Sequence, residues 1–243
     1  MTAIARKSNL SHQVTQELGK AIVCGDFDAD SSFPTEAELC EQFGVSRTAV
    51  REAVKMLSAK GLVSSKPRQG IRIMPEEDWN ILDSDLLKWS LESQPSRSVL
   101  KEFFQLRLAI EPEAAALAAR FSHPEHLRAI SDVLDRMREA PAHSEPARQA
   151  DVDFHLAILY ATENRFYIRL RDFIRTALDI SIRYTEVGEV DHNATIDTHG
   201  KVYRAIKSGD PEQARHAMRW LIDDALVFIE SGPGSAGTYG EQS

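Results

Sequence analysis

Residues 34–74 contain two short helical runs followed by a basic hairpin, and this order constrains the fold more than any other feature of the chain. Thr35 precedes the first run and Glu38 follows three residues later, a spacing typical of a capping box at a helix start. Gly44 interrupts the run at a position suited to a helix end, and Ser46 can cap the next helix. The pattern therefore predicts a helix-turn-helix.

The second predicted helix has one apolar face and one basic face. Val50, Val54 and Leu57 recur at helical spacing and form the apolar face. The neighbouring basic and small polar face, counted with the cap, consists of Ser46, Arg47, Thr48, Arg51 and Lys55. Such a face suits the major groove of DNA, where arginine pairs with guanine. The alternative is an ordinary amphipathic helix with a solvated charged side.

Two short strands then flank a basic turn. Residues 62–65 and 71–74 have strand character, and residues 66–70 form the turn, with Gln69 and Gly70 at its tip. A basic hairpin after a helix-turn-helix is a wing, which can straddle the DNA backbone. Because both capped helices, the glycine turn and the hairpin occur in this order, we predict a winged helix-turn-helix that binds double-stranded DNA.

These motifs resemble a known family. The sequences FPTEAELC from Phe33, FGVSRTAVREAVKML from Phe43 and RQGIRI from Arg68 resemble the DNA-binding domain of the GntR family of bacterial transcription regulators. The resemblance implies operator contacts from the second helix and from the wing tip, namely Arg47, Thr48, Arg51, Gln69 and Gly70. The chain departs from the family pattern at Ala37, where the family usually has an arginine that touches DNA.

Charge is distributed unequally along the 243 residues. Residues 1–75 contain 10 Lys and Arg against 8 Asp and Glu, a net charge of +2, whereas residues 76–243 contain 19 against 29, a net charge of −10. The acidic part should repel DNA and leave the N-terminal part as the docking surface.

We find no signal peptide and no long apolar run, and Cys24 and Cys40 lack a metal-type spacing. We therefore expect a cytoplasmic protein without a membrane span, with both cysteines as buried free thiols.

Beyond the wing the pattern is almost entirely helical, so the predicted fold class is mainly α: a winged helix-turn-helix followed by an all-α bundle. One long apolar stripe consists of Val99, Phe103, Leu106, Ile110, Ala114, Leu117 and Phe121. Further helices are predicted over residues 124–139, 147–162, 164–185, 195–208 and 211–230. The predicted segments are a DNA-binding domain (1–75), a linker helix on Trp79, Leu82, Leu86 and Trp89 (76–98), an effector-binding and dimerisation domain (99–230) and a disordered tail (231–243).

Three ionisable side chains of the helical part share helix faces with apolar residues. Asp151 and His155 are four residues apart on a face that carries Ile158, and His199 shares its face with Val202. Such groups are costly to bury unless they are paired or bind something. A divalent metal ion would satisfy them, and zinc, nickel and manganese all accept imidazole and carboxylate ligands. The alternative for each histidine taken alone is a hydrogen-bonded core residue.

A second resemblance covers this region. The sequence ADVDFHLAI from Ala150 and the segment 199–214 resemble the FCD effector domain of the FadR subgroup of the GntR family. The resemblance implies that Asp151, His155 and His199 bind a metal ion, zinc above all, beside the effector.

The ligand set departs from the family pattern on the last helix. The family usually has another histidine where this chain has Leu221. His216 lies five residues earlier, about 140° away around a helix, and is a poor substitute. Water or the effector would complete the metal coordination, or the site is degenerate and only the pocket survives.

Arg107 is the first candidate for an effector contact. It is predicted to lie near the edge of the long apolar stripe, about 55° from its centre, where a guanidinium group would bind a carboxylate. A salt bridge to Glu111 at i, i+4 is an equal alternative. The FCD resemblance implies that an arginine at this position binds the acid group of the ligand. We expect Arg183 and Thr185 to line the same cavity.

The predicted function follows from these features. The segment 79–92 resembles that of galactonate-operon repressors, which implies a sugar-acid effector of the aldonate type. We predict a homodimeric regulator, most simply a repressor, that a carboxylate effector releases from its operator. The alternatives are a regulator that responds to a different small organic acid and a metal-dependent enzyme built on the helical domain. We expect no enzyme, since no His-Glu-x-x-His motif, nucleophile elbow or phosphate loop accompanies the three polar residues.

Overall fold

The computed structural model describes residues 3–27, 33–66, 69–92, 97–121, 123–185 and 191–231. The chain divides into two compact units, Met1–Gln94 and Pro95–Ser243. The first unit contains α1 (Ala3–Val23), α2 (Glu36–Phe43), α3 (Arg47–Ala59), β1 (Val63–Lys66), β2 (Gly70–Ile73), a short 3-10 helix (Glu76–Asp78) and α4 (Ser84–Glu92). The second contains α5 (Arg97–Phe121), α6 (Pro124–Glu139), α7 (Glu145–Ala161), α8 (Arg165–Arg169), α9 (Arg171–Thr185), α10 (His192–Lys207) and α11 (Pro211–Ser231). The predicted fold class is confirmed.

The core of the first unit forms where α1 packs against α3 and where the hairpin covers the end of α3. Val50, Val54 and Leu57, the predicted apolar face of the second helix, are all buried. The hairpin is antiparallel, with Val63 opposite Ile73 in its register. The predicted apolar face therefore fixes α3 in the core and leaves its other face at the surface.

The predicted linker helix is shorter than its apolar spacing suggested. Trp79 has extended backbone angles and Leu82 lies two residues before the helix starts, so neither belongs to it. The helix begins at Ser84 because a carboxylate oxygen of Asp83 accepts the backbone N–H groups of Asp85 (3.0 Å) and Leu86 (3.1 Å) and acts as its cap. The helix packs against α1, so the predicted linker segment contributes its helix to the first unit.

In the second unit, α5 packs extensively against α11, and α7 packs against α5, α6 and α9. The predicted helix over 164–185 is divided in two, with α8 ending before Leu170 and α9 beginning at Arg171. Asn164 caps the start of α8, since its side chain accepts the backbone N–H of Phe166 at 2.9 Å. The last helix reaches Ser231, and the rest of the predicted disordered tail lies outside the described residues.

The long apolar stripe predicted for α5 is wrong in its orientation. Leu106 is 37% exposed and Phe121 is 48% exposed, whereas Arg107 and Glu111 lie on the buried face together with Phe104. The prediction placed Arg107 near the edge of the apolar stripe, but a guanidinium and a carboxylate that pair with each other can be buried together at its centre. This rotation brings two charged groups into the core of the second unit.

Two smaller expectations can be compared with the structure. Cys24 follows the end of α1 and is exposed, so the prediction of a buried thiol is wrong there, while Cys40 is partly buried. Among the helices of the described ranges, none is both long and apolar enough to cross a lipid bilayer.

Candidate DNA-binding surface and candidate metal centre

The two helices of the helix-turn-helix are held by the predicted caps. The backbone N–H of Thr35 donates to the Glu38 carboxylate at 2.7 Å, and the backbone N–H of Glu38 donates to the Thr35 hydroxyl at 3.3 Å. Gly44 ends α2 with a φ of 61°, in the left-handed region that glycine adopts without strain. Ser46 caps α3 by accepting the backbone N–H of Ala49 at 3.3 Å. The turn therefore fixes where the first residues of α3 lie.

One face of α3 offers exposed polar side chains. At about 100° per residue, the predicted contacts on this helix occupy an arc of about 100°, on the side opposite the buried residues. They are Arg47, Thr48, Arg51 and Lys55, all exposed. Arg51 is not free, because its Nε donates to the Glu36 carboxylate at 2.9 Å, and Lys55 pairs with Glu52 at 2.8 Å. The carboxylate of Glu36 thus holds the central arginine of this face.

The wing presents further polar groups. The backbone N–H of Gln69 donates to the carbonyl of Lys66 at 3.1 Å, and Gly70 has a φ of 75° with open space around its α-carbon. Glycine is needed at this position for its backbone conformation, not for lack of room. Arg72 is exposed on β2, and sequence reasoning did not single it out, although its place between Ile71 and Ile73 gave the signal.

In the second unit, α7 and α10 bring the three predicted metal ligands together. One ligand atom from each of Asp151, His155 and His199 lies within 4.8 Å of the others. The Asp151 Oδ1 atom is 3.4 Å from Nε2 of His155 and 3.2 Å from Nε2 of His199. Both histidines are 2% exposed, so this cluster belongs to the core.

The other ring nitrogen of each histidine faces an acceptor. Nδ1 of His199 lies 2.8 Å from the carbonyl of Thr195, and Nδ1 of His155 contacts the Glu111 carboxylate. A proton on each Nδ1 satisfies both contacts and leaves both Nε2 lone pairs directed at Asp151. Three acceptor atoms then converge on one point. Metal-binding histidines have this arrangement, in which a carbonyl or carboxylate behind each ring fixes its tautomer, so the residues fit a divalent ion.

The charges around this point are strongly coupled. Burial alone would raise the pKa of Glu111, but the Arg107 guanidinium and His155 more than offset it and hold that pKa at about 2. Burial is likewise offset at Asp151, where His199 and His155 lower the carboxyl pKa. The pKa of His155 is raised, because the carboxylates of Glu111 and Asp151 outweigh the effect of its burial. A proton on His155 and a bound cation are two ways to satisfy the same acceptors.

Arg107 lies at the centre of the buried face of α5, so its predicted position at the edge of the stripe is wrong. The alternative salt bridge is present, since Nε of Arg107 lies 2.5 Å from the Glu111 carboxylate. The Nη2 atom of Arg107 is 3.5 Å from Nδ1 and 3.4 Å from Nε2 of His155. A hydrogen bond to a ring nitrogen lies in the plane of the ring, and one nitrogen atom cannot lie in that position for both ring nitrogens of His155. These two distances therefore reflect close packing and not two hydrogen bonds. Arg107 therefore adjoins the three-residue cluster.

The other two predicted effector contacts differ from Arg107. Arg183 is at the surface, where it pairs with Asp179 at 3.3 Å and with Glu145 at 3.5 Å. The side chain of Thr185 lies outside the described residues. Glu111 is the residue that sequence reasoning undervalued, because it was considered only as a partner of Arg107 and not of His155.

The last helix contains the remaining expected ligand position. Leu221 is partly buried on α11, and its side chain cannot coordinate a metal ion. His216 is exposed in a groove between α10 and α11 that Lys201 and Trp220 also line. This location agrees with its exclusion as a substitute ligand.

Comparisons with known proteins cover both units. Residues 10–73 match the bacterial regulatory proteins of the gntR family, and residues 102–224 match the FCD domain. The Escherichia coli K12 protein described as an uncharacterized HTH-type transcriptional regulator, YieP, is 34% identical over 90% of this chain and 95% of its own length. The galactonate operon transcriptional repressor of the same organism is 31% identical over 88% of this chain and 94% of its own length.

A solved structure agrees in fold. The structure of Lar, which controls expression of the agr system of Listeria monocytogenes, aligns with a TM-score of 0.58 over 91% of this chain and 96% of its own. Sequence identity is 20%, so this similarity concerns the fold alone. One family match falls in each unit, and both sequence relatives align with most of the chain across the two units.

Proposed function

Because this chain belongs to the GntR family of bacterial transcription regulators and carries an FCD domain, we propose that it is a ligand-responsive repressor of a sugar-acid catabolic operon. It binds its operator as a homodimer, and a carboxylate effector releases it. The observation that carries the ligand response is the buried cluster of Asp151, His155 and His199 beside the Arg107–Glu111 pair. The protein is a regulator and not an enzyme.

Operator recognition is proposed for the exposed face of α3 together with the wing. Arg47 and Arg51 can pair with guanine edges in the major groove, and Thr48 can contact a base or a phosphate. Lys66 and Arg72 of the hairpin can contact the phosphate backbone. Helix-turn-helix proteins of this kind read two half-sites as dimers, so a pseudo-palindromic operator is expected.

A divalent ion is proposed at the convergence of the two Nε2 atoms and the Asp151 carboxylate. Zinc, nickel and manganese are candidates because they accept imidazole and carboxylate ligands. When bound, such an ion supplies a positive charge that can attract an anionic ligand. Three protein ligands leave room for a further ligand from solvent or effector, which agrees with Leu221 at the fourth expected position.

The enclosed charges favour an anionic effector. Arg107 and Glu111 neutralise each other, and both histidines are neutral when protonated on Nδ1 alone. Asp151 adds one negative charge and a divalent ion adds two positive ones, so the occupied centre would carry a net charge of about +1. An effector carboxylate would bring that charge to neutrality in a site where an unbalanced charge is costly. A single carboxylate is thus the simplest complement of these residues.

Arg107 is proposed to couple effector binding to the position of α5. A carboxylate that binds beside His155 would compete with Glu111 for the guanidinium group, because both acceptors are anionic. The contacts between α5 and α7 would then differ between the free and the bound forms. Release of DNA requires the effector to bind the DNA-incompetent arrangement more tightly than the competent one.

The effector class rests on the relative named a galactonate operon transcriptional repressor, and on the resemblance of the segment 79–92 to such repressors. A hexonate therefore heads the set of acids to test. Hexuronates and short hydroxy acids carry the same carboxylate with different hydroxyl patterns. Comparing the responses to these acids distinguishes a sugar-acid regulator from one that responds to another organic acid.

The test is fluorescence anisotropy of labelled DNA from the region upstream of the gene, titrated with protein and then with each acid. We expect specific binding that one hexonate reverses, and weaker reversal after metal chelation. Arg107→Met should bind DNA and lose the response to the acid. Arg175→Met is the matched control, since Arg175 is an exposed arginine of the same unit that pairs with Asp153. Reversal by none of the acids at saturating concentration would contradict the proposed effector class, and loss of the acid itself on incubation would indicate an enzyme.

A further inference from the structure

A second cluster of metal-ligating side chains lies at the surface of the second unit, away from the buried centre. It consists of His123, Glu125 and His126 at the start of α6 and Glu163 in the turn between α7 and α8. None of these side chains entered the sequence predictions. The signal in the sequence was the His-x2-His spacing of HPEH from His123.

The two imidazoles converge on one carboxylate oxygen. Nε2 of His123 and Nε2 of His126 each lie 3.3 Å from Oε1 of Glu163. One ligand atom from each of Glu125, His126 and Glu163 also lies within 4.8 Å of the others. Three potential ligands, one imidazole and two carboxylates, are therefore close enough to share one ion, and His123 adjoins them through Glu163.

Local structure directs these side chains toward one another. His123 occupies the cap position of α6, yet its side chain makes no cap hydrogen bond and its ring faces Glu163 instead. Positions three apart lie on one side of a helix, which brings His126 to the same side. Glu163 has a φ of 51°, an uncommon conformation for a residue other than glycine or asparagine, where the chain turns from α7 to α8. The turn holds its carboxylate opposite the first turn of α6.

From this geometry we propose a second divalent metal site, formed by Glu125, His126 and Glu163 with His123 as a further ligand. Imidazole nitrogen and carboxylate oxygen are ligands that zinc accepts. Two carboxylates supply two negative charges, which balance a divalent ion.

The site is separate from the buried centre. From His155 to Ala161, where α7 ends, the helix rises by about 9 Å, and Glu163 lies beyond that end. The side chains of His123 and Glu163 are 48% and 44% exposed, in contrast to the buried histidines. The surface site exchanges its ion with solvent readily, and an occupied site ties the start of α6 to the α7–α8 turn.

The test uses the full chain and zinc alone. Purified protein is equilibrated in zinc-buffered solutions, and bound zinc per chain is measured by mass spectrometry of the metal content. Wild type should bind two ions per chain, the second more weakly, while His123→Ala/His126→Ala should bind one. His143→Ala is the control, because His143 is an exposed histidine outside both clusters. These surface substitutions leave the core residues unchanged.

A second measurement identifies the residues involved. Wild-type protein is treated with diethyl pyrocarbonate with and without zinc, and modified histidines are identified by peptide mass spectrometry. Zinc should protect His123 and His126 and leave His143 reactive. Equal zinc content in the wild type and the double variant, together with unprotected His123 and His126, would overturn the surface site and would not bear on the buried one.

Discussion

The Asp151 Oδ1 atom lies 3.2 Å from the Nε2 atom of His199, although the two residues are 48 positions apart and belong to α7 and α10. The same oxygen is 3.4 Å from Nε2 of His155 on its own helix. The carboxylate therefore joins the two histidines, and the packing of α7 and α10 in one bundle determines whether the cluster exists.

The first prediction concerns this carboxylate. Asp151→Asn preserves the shape of the side chain but replaces an anionic acceptor by an amide. Mutation of residues that only support metal ligands lowers metal affinity by about 10–100-fold, so we expect zinc affinity to fall by at least about 10-fold when a proposed ligand itself is changed. Asp153→Asn is the control, because Asp153 lies two residues away and pairs at the surface with Arg136 at 3.0 Å. Isothermal titration calorimetry of metal-free protein with zinc measures both. Equal affinities would show that Asp151 is not a ligand.

The second prediction concerns the group behind His155. Glu111→Gln leaves the buried Arg107 without a charged partner, so we expect the free energy of unfolding of the second unit to fall by about 3–5 kcal/mol, the range for breaking a buried ion pair. We also expect zinc affinity to fall by about 10–100-fold, because the acceptor that orients His155 is weakened.

Glu113→Gln is the matched control for this change. Glu113 is on the same helix, but its side chain is 50% exposed and pairs with Arg215. Surface pairs of this kind contribute little to stability. Hydrogen exchange of α5 and α7 amides, followed by mass spectrometry, reports the second unit alone. A loss of protection as large for Glu113→Gln as for Glu111→Gln would contradict a special role for the buried pair.

The helix-turn-helix could be predicted from the sequence because its determinants are local. Thr35 and Glu38 are three residues apart, and Gly44 and Ser46 act on the adjacent helix ends. Each of these caps is a contact between near neighbours in the chain, so a sequence pattern contains it in full. The cluster of Asp151, His155 and His199 was predicted for a different reason, since the place of these groups among apolar residues suggested a shared ion and the resemblance to the FCD domain added support.

The error in the orientation of α5 arose because contacts between residues far apart in the sequence determine which face is buried. Arg107 was placed near the edge of the apolar stripe of α5, yet it is buried because it pairs with Glu111, which also contacts His155, 44 positions away. No periodicity within α5 contains that partner. The start of α4 was misjudged because Asp83 caps it, and the apolar spacing of Trp79 and Leu82 gave no sign of this.

The third prediction concerns operator binding. Arg51→Ala should weaken specific binding by about 1–3 kcal/mol if the guanidinium contacts a base. Glu36→Gln should release the Arg51 side chain and remove a negative charge near the DNA. We expect it to increase binding to unrelated DNA and to reduce discrimination in favour of the operator.

Anisotropy titrations at several salt concentrations measure both effects. Arg138→Ala is the control, because Arg138 is an exposed arginine of α6 that pairs with Asp135. The idea that Glu36 positions Arg51 is refuted if Glu36→Gln leaves both the operator affinity and the affinity for unrelated DNA unchanged.

The fourth prediction concerns pH and the start of α4. Nζ of Lys60 lies 2.6 Å from the Asp83 carboxylate and 2.8 Å from that of Asp85. Burial alone would raise the pKa of Asp85, but hydrogen bonding to Lys60 more than offsets this and lowers it. A lowered carboxyl pKa stabilises the folded form above the pKa of the unfolded chain, near 3.9, and this contribution is lost as the pH falls through the folded value.

Lys60→Met should therefore lower the stability of the first unit at neutral pH and have a smaller effect near pH 3. Lys55→Met is the control for stability, since Lys55 is an exposed lysine of α3, the helix that ends directly before Lys60. Hydrogen exchange of α1 and α4 amides at both pH values provides the measurement. A loss of protection of the same size at both pH values would show that the carboxylates do not contribute through their charge.

The last prediction concerns the contact between α1 and α4. A β-carbon added at Gly19 would lie 2.3 Å from Cζ3 of Trp89, whose ring is buried and whose Nε1 donates to Gln16 at 2.8 Å. Alanine favours a helix interior over glycine by about 1 kcal/mol, yet we expect Gly19→Ala to destabilise the first unit by about 1–3 kcal/mol, because the ring must move in a packed core. In a double-mutant cycle, Trp89→Leu should remove this penalty and make Gly19→Ala neutral or stabilising. Additive effects of the two substitutions on the free energy of unfolding would mean that the close approach of α1 and α4 does not depend on the missing side chain at position 19.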